Sequence, residues 1–277
     1  MTGIQYLKTN CPEPLRKPLS GAYHMMRGLP YRFDMALHRR EMKVFCPCCG
    51  LRFRSFTAGN HRTLVGIVDI SRYMDTRQDV LCPYCRALPR HRILALWCEK
   101  HREVLRRSSI LYFAPEHSMQ LWMRRNKVSI VTADLFRPAD LKLDIQRTGL
   151  AAASYDAVFC NHVLEHVDDF RAALREVHRI LRPGGMFLCS FPMDPKIDLP
   201  VDEDPAVVTA EGRIRRFGQI DHQRVFGMKA DRFLTDAGFL VEPIRGEDYP
   251  DEILPVVGPA DYDWNLLFCC RKAAHEI

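Results

Sequence analysis

The hydrophobic positions change period along the chain, and each change marks an element. Residues 155–160 are a short run of β-formers, with apolar Ala157 and Phe159 beside Val158, closed by polar Asn161-His162. Phe170, Leu174, Val177, Ile180 and Leu181 then recur at helical spacing and make one apolar stripe. Asp168 and Asp169 precede it, where acidic groups suit the unpaired N–H groups of a first turn. Pro183-Gly184-Gly185 stops the helix, and 186–191 is a second apolar strand. Strand, helix, tight turn, strand is a βαβ unit, which predicts a parallel sheet and a right-handed crossover. Ligands of such sheets sit at the carboxyl ends of the strands, here Cys160-Asn161-His162 and Ser190-Phe191-Pro192.

The remaining pattern extends the same α/β alternation. Residues 110–114, 128–132 and 141–145 read as three more strands, with a helix over 118–126. A helix over 229–237 is closed by Gly238, and 239–244 and 265–271 read as the last two strands. Upstream, 86–107 predicts a helix with Leu94, Trp97, Cys98, His101 and Leu105 along one face. Residues 1–43 form a basic irregular arm, interrupted by Pro12, Pro14, Pro18 and Pro30, with a short helix at 31–40.

Eleven cysteines change the picture of the amino-terminal half. Cys46-Pro47-Cys48-Cys49-Gly50 and Cys82-Pro83-Tyr84-Cys85 are two CxxC knuckles separated by a loop of about thirty residues. Two tight turns that each present two thiolates suit one tetrahedral zinc ion, with Cys46, Cys49, Cys82 and Cys85 as ligands and Cys48 as a spare able to replace one of them. Four thiolates leave no open coordination position, so this zinc is expected to be structural and to stabilise a module too small for its own core. Val65, Ile67 and Val68 are the expected strand of that ribbon. No Gly/Ser-rich spacer follows, which predicts a docked module.

Composition fits a globular protein: 47% hydrophobic, 27% charged, formal net charge +6. No run approaches the roughly 18 apolar residues needed to span a bilayer. The residues after Met1 lack a charged region followed by an apolar core, so the expectation is a cytoplasmic protein with reduced thiols. Residues 86–107 concentrate Arg86, Arg90, Arg92, Lys100, Arg102, Arg106 and Arg107, which fits RNA phosphate contacts or a solvated helix face.

The segments YDAVFCNHVLEHV and LRPGG-MFLCSFP resemble the fourth and fifth strands of class I S-adenosylmethionine (SAM) dependent methyltransferases, of the type 11-like kind. Phe113-Ala114-Pro115-Glu116 stands where most of that family has a GxGxG loop. With the two knuckles, Arg90-His91-Arg92 and FGQIDHQRVFG at 217–227, it resembles a subset found in polysaccharide biosynthesis clusters. The resemblance implies a Rossmann-like seven-stranded sheet with an antiparallel last strand. The expected division is arm (1–43), zinc ribbon (44–92), connecting helix (93–108) and methyltransferase domain (109–277), with an acceptor-site insertion at 192–228 that the resemblance implies. For the cofactor it implies Ala114, Pro115 and Glu116 at the first loop, Asp134 at the ribose, Asp144 and Ile145 at the adenine, and Asn161 and His162 beside them. Glu116 is read either as a partner of the SAM ammonium or as the cap of the following helix, and Asp134 as a ribose ligand or a turn residue.

Four groups are candidates for catalysis: His162, His166, Asp221 and His222. Histidine titrates near neutral pH and suits a base that deprotonates a hydroxyl. His162, Glu165 and His166 also have a spacing at which one helix face would bind a metal. The preferred reading is a helix start with one histidine lining the cofactor pocket. Gln219, Asp221, His222 and Arg224 are expected to orient the acceptor or bind an acidic group. The function expected is O-methylation of a saccharide or other small polar acceptor. The alternatives are a zinc-ribbon RNA base methyltransferase and a non-catalytic binding module.

Overall fold

Strands that are apolar at every position need cover on both faces, and the central sheet has it. The computed structural model describes residues 26, 28–58, 80–194, 196–245, 249 and 267–274. In chain order its strands are β1 (Val44–Cys46), β2 (Leu51–Phe53), β3 (Ile110–Phe113), β4 (Val131–Ala133), β5 (Tyr155–Asn161) and β6 (Leu181–Ser190). They continue as β7 (Met193–Asp194), β8 (Val201–Glu203), β9 (Arg224–Gly227), β10 (Phe239–Ile244) and β11 (Leu267–Lys272). The helices are α1 (Pro89–Lys100), α2 (Arg102–Leu105), α3 (His117–Arg125), α4 (Phe170–Ile180), α5 (Ala210–Phe217) and α6 (Asp231–Asp236).

The central sheet runs β10-β11-β6-β5-β3-β4. β4, β3, β5 and β6 are parallel, and β11 inserts antiparallel between β6 and β10. Alternate residues sort cleanly between the faces. Ile110, Tyr112, Ala157, Phe159 and Leu188 join one core with Ile93, Leu94, Trp97, Met119 and Trp122 from α1 and α3. Leu111, Phe113, Val158, Cys160 and Phe187 join the other with Phe170, Leu174, Val177 and Phe233 from α4 and α6. Asp169 caps α4 by accepting from Ala172 N at 2.9 Å, within the turn that the acidic pair predicted.

Several local expectations change. The third predicted strand is reduced to one parallel bridge, Ala133↔Leu141. The Asp140 carboxylate takes the Thr132 N–H and hydroxyl at 3.0 and 2.8 Å, and a backbone donor held by a side chain is lost to the ladder. The sheet therefore has six strands among the described residues, not seven. The predicted helix over 86–107 divides at His101, whose ring stacks on Trp97 with centroids 3.9 Å apart and whose Nδ1 contacts Trp97 O at 2.8 Å. Pro183-Gly184-Gly185 lies inside β6, as a register shift opposite Tyr155 and Ala157. The helix predicted at 31–40 covers 28–37 and is followed by a 3-10 turn, Arg39–Glu41. Val65, Ile67 and Val68 lie outside the described residues.

The insertion at 192–228 has structure of its own: a three-stranded sheet in the order β7-β9-β8, with α5 packed beside it. Arg216 of α5 pairs with Asp202 of β8 at 2.8 Å.

Candidate functional site

The order of the sheet reverses direction between β3 and β5, which makes their carboxyl ends the switch point where ligands of such sheets bind. Two non-glycine residues there hold left-handed backbone, Ala114 after β3 (φ +44) and His162 after β5 (φ +52). Each costs about 1–2 kcal/mol, and such strain persists only where the surroundings hold it. Here Ala114 N donates to Ala133 O, and His162 N to Ser190 O, both at 2.8 Å. Ala114 thus adopts a conformation that glycine takes without strain, which accounts for a working turn without the GxGxG glycines.

A buried relay crosses the sheet beneath this turn. Ser190 Oγ donates to Asn161 Oδ1 at 3.0 Å, Asn161 Nδ2 to Tyr112 OH at 3.2 Å, and Tyr112 OH to Glu116 Oε2 at 2.5 Å. Both ends of the Asn161 side chain are thereby engaged inside the protein. Glu116 stands at the N-cap of α3 without a side-chain cap bond, which corrects the capping alternative. Its Oε1 faces His91 Nε2 at 3.5 Å. His91 Nδ1 accepts from Leu88 N at 3.0 Å, so the ring proton sits on Nε2 and points at the carboxylate. Burial opposes ionisation of Glu116, yet His91 and Tyr112 hold its carboxyl below the usual range.

Asp134 and Asp144 occupy the predicted strand ends. Asp134 Oδ1 accepts from Phe136 N and Arg137 N, both at 2.8 Å, in an Asx turn. Asp144 Oδ1 accepts from Gln146 N at 2.8 Å, and Ile145 is buried beside it. Both aspartates thus serve their own turns.

The four catalytic candidates come together, although they lie in segments far apart in sequence. Residues 164–166 form a turn, and the helix begins only at Phe170, so the predicted helix start at 162–166 is absent. Glu165 is 0% exposed. His162 Nδ1 lies 3.2 Å and His166 Nε2 3.9 Å from its Oε1. His166 Nδ1 reaches Asp221 Oδ2 at 3.3 Å, and its ring meets His222 edge-on with centroids 4.8 Å apart. Burial holds His162 and His222 below the ordinary histidine range, with nearby Arg90 adding to the effect on His162. Burial also opposes the Glu165 charge, but His162, His222 and His166 hold that carboxyl low.

What joins the two segments is a part of the insertion that sequence reasoning assigned to the acceptor. Arg224 is buried and pairs with Glu203 at 3.0 Å. It also donates to the carbonyls of Leu164, Val167 and Asp168 at 2.9, 2.5 and 2.9 Å. Gln223 N donates to Glu165 O at 2.8 Å. Arg224 is a clamp, which corrects its expected role as an acid-binding group. Glu165 itself was read only as a metal-spacing residue, and its buried carboxylate at the centre of the cluster was missed. The EH pair in HVLEHV was its sole sequence signal.

At the amino-terminal side, Cys46, Cys49, Cys82 and Cys85 are all buried with sulfurs within 4.8 Å of one another. Cys48 stands outside this group of four, and its thiol donates to His91 O at 3.4 Å. All ten described cysteines are free and buried. The Arg125 guanidinium of α3 donates to Pro47 O and Cys48 O at 3.3 Å and lies against Gly50, where a Cβ would stand 1.9 Å from its Nη2. Arg92 is buried, with Nη1 on Val80 O and Ala87 O at 2.7 and 2.9 Å, so it is an internal beam of this module. Arg102 pairs with Glu99, and Arg106 with Glu103, each at 2.9 Å, which offsets part of the basic run. No helix among the described residues is long and apolar enough to cross a membrane.

Residues 117–189 match the family described as "Methyltransferase domain". The match runs from α3 through β4, β5 and α4 to the next-to-last residue of β6, so it covers the ends of β4 and β5 and leaves Ala114, Glu116 and Ser190 just outside. Fold and match together define a methyltransferase-type α/β domain. Among curated proteins, a malonyl-[acyl-carrier protein] O-methyltransferase of Hahella chejuensis is 45% identical over 47 residues, 17% of this chain and 17% of that protein. A ubiquinone/menaquinone biosynthesis C-methyltransferase of Caulobacter vibrioides is 48% identical over 46 residues, 17% of this chain and 18% of that protein. The chain thus matches less than a fifth of the length of these relatives. Among solved structures, the 1,6-didemethyltoxoflavin-N1-methyltransferase of Burkholderia thailandensis overlays with a TM-score of 0.43 at 17% identity, covering 67% of this chain and 77% of that one. A methyltransferase of Bacillus halodurans overlays at 0.42 and 15%, covering 63% and 98%. Overlays this loose carry no functional weight.

Proposed function

We propose that the chain is a SAM-dependent methyltransferase that O-methylates a saccharide or another small polar hydroxyl acceptor, and that a structural zinc ion holds its amino-terminal module. The observation that carries the reading is the switch-point constellation. Ala114 and His162 take left-handed backbone at adjacent strand ends, over the Ser190–Asn161–Tyr112–Glu116 relay, within or beside the segment that matches a methyltransferase family.

Bound SAM supplies an electrophilic methyl group. Ala114, with the smallest side chain after glycine, lets the backbone come close. Glu116, kept ionised in a buried setting, suits the cofactor's ammonium group. The turns at Asp134 and at Asp144-Ile145 border the ribose and adenine positions, and Asp134 Oδ2 takes no bond among the described residues. His162 is the base. Its Nδ1 faces Glu165, which orients the ring and leaves Nε2 to take the hydroxyl proton. Alignment and proximity supply the rest of the acceleration.

The zinc ion fits its residues. Four buried sulfurs within 4.8 Å of one another, from Cys46, Cys49, Cys82 and Cys85, are a closed tetrahedral donor set.

Calorimetry of the zinc-loaded protein with SAM and S-adenosylhomocysteine tests the cofactor reading. Stoichiometric binding is expected, followed by transfer of a labelled methyl group to hydroxyl acceptors. Absence of binding overturns the enzyme reading.

A further inference from the structure

We propose that Glu165, His166 and His222 form a second metal site, for one divalent transition-metal ion, separate from the four cysteines. Their ligand atoms lie within 4.8 Å of one another. Glu165 is 0% and His222 2% exposed, and neither the two Glu165 oxygens nor His222 Nε2 has a hydrogen-bond partner. His162 Nδ1 lies 3.2 Å from Glu165 Oε1, so it addresses one oxygen and leaves Oε2 without a donor.

The proton positions decide the chemistry. His222 Nδ1 lies 2.9 Å from Phe217 O. A carbonyl only accepts, so Nδ1 carries the proton and Nε2 presents a lone pair. His166 Nδ1 faces Asp221, with both Asp221 O and Oδ2 at 3.3 Å. It too donates there, and its Nε2 lone pair faces Glu165 at 3.9 Å. A carboxylate and two imidazole lone pairs thus converge, with the His162 Nδ1 proton beside one carboxylate oxygen only. Buried acceptors without a donor, here Glu165 Oε2 and His222 Nε2, are poorly stable, and a cation resolves the arrangement.

The surroundings match. Ligating histidines characteristically give their other N–H to a carboxylate or a carbonyl, as His166 and His222 do. The two segments are also held before any ligand arrives, by Arg224 on the 164–168 carbonyls and Gln223 N on Glu165 O. Two nitrogens and one carboxylate favour Mn²⁺, Fe²⁺, Co²⁺ or Zn²⁺ over Ca²⁺ or Mg²⁺, and the set has no sulfur, unlike the cysteine site. Three protein ligands leave open positions, at which an acceptor hydroxyl would bind and become more acidic. Only this last role rests on the methyltransferase reading; the site itself does not.

The test is titration of full-length, zinc-loaded protein with Mn²⁺, followed by electron paramagnetic resonance, and with Co²⁺, followed by visible absorption. One Mn²⁺ per chain is expected beyond the zinc, with Co²⁺ bands that lack thiolate charge transfer. Glu165→Gln and His222→Gln should each weaken binding about tenfold or more, with zinc content and circular dichroism unchanged. Should either variant fail to fold, Asp221→Asn, at an exposed residue, is expected to lower Mn²⁺ affinity to a smaller degree by loosening the hold on His166 Nδ1. Absence of Mn²⁺ and Co²⁺ binding beyond the zinc, or equal binding by wild type and variants that fold, overturns the proposal. SAM affinity, measured in parallel, separates this result from the fate of the cofactor reading.

Discussion

Two sets of metal-type donors lie among the described residues, and they are closed to different degrees. Cys46, Cys49, Cys82 and Cys85 come from two tight turns, all four are buried, and their sulfurs have one another as near neighbours. Glu165, His166 and His222 come from a strand-end turn and an insertion, and His166 remains 32% exposed on its side chain. The first set fills every position a tetrahedral ion has, which suits stability. The second leaves positions unfilled beside the strand ends where chemistry is expected. Donor count and access, more than donor identity, separate a rivet from a reactive centre. A chain of contacts also runs between the neighbourhoods of the two sets, from Cys48 to His162. Cys48 donates to His91 O, His91 faces Glu116, and the relay from Glu116 ends at Ser190, whose carbonyl holds His162 N.

The largest effect expected is at the closed set. Cys82→Ser with Cys85→Ser should abolish zinc by elemental analysis and lower the melting temperature by about 10 °C or more, since structural zinc supplies folding energy directly. SAM affinity should fall with it, because the His91–Glu116 contact is carried by α1. Unchanged metal content would show the ligand assignment to be wrong. Next is His162→Ala, expected to cut kcat by about 10²–10⁴ while SAM binding is retained. A loss confined to KM would move the base elsewhere in the cluster. Glu116→Gln should weaken SAM binding by about tenfold without loss of zinc, as expected when a charge-assisted hydrogen bond is removed. Equal affinity would free Glu116 for a purely structural role.

Two smaller effects probe the scaffold. Ala114→Gly should stabilise the fold by about 1 kcal/mol in denaturant unfolding, because it relieves the left-handed strain at φ +44. A destabilisation would mean that the alanine methyl group packs better than the strain costs. Glu176 of α4 is held down to about 2, first by Arg179 at 2.8 Å against some burial cost, and then by the Thr148 hydroxyl and N–H. A depressed folded value adds stability that is full above the ordinary 4.5 and disappears as pH falls from there toward about 2. The gap between wild type and Glu176→Gln, under about 1 kcal/mol for a partly screened pair, should therefore be present at neutral pH and close in acid.

The elements that read correctly from the chain are those governed by short-range forces. The stripe Phe170-Leu174-Val177-Ile180 faces the core, and Asp169 caps the helix, because a turn of helix and its cap involve residues three or four apart. β5 and β6 read as buried strands because apolar residues at every position need two covered faces. The third strand did not survive, since Asp140 competes for a Thr132 donor and propensity alone does not register that competition.

The two knuckles and their spacing were likewise set by sequence, yet which cysteine of Cys46-Pro47-Cys48-Cys49 is spare depended on His91 O lying 3.4 Å from Cys48. The same division holds at the candidate site. Residue types and local spacing determined that histidines and acids would stand at the end of β5 and in the insertion. Only the tertiary structure decided that Asp221-His222 and His162–His166 form one cluster around Glu165. Arg224 binds three carbonyls of a segment 56 to 60 residues away, and no periodicity encodes a contact at that range. Lone pairs and protons on the imidazoles follow from those long-range partners, so the chemistry of the site is a property of the fold.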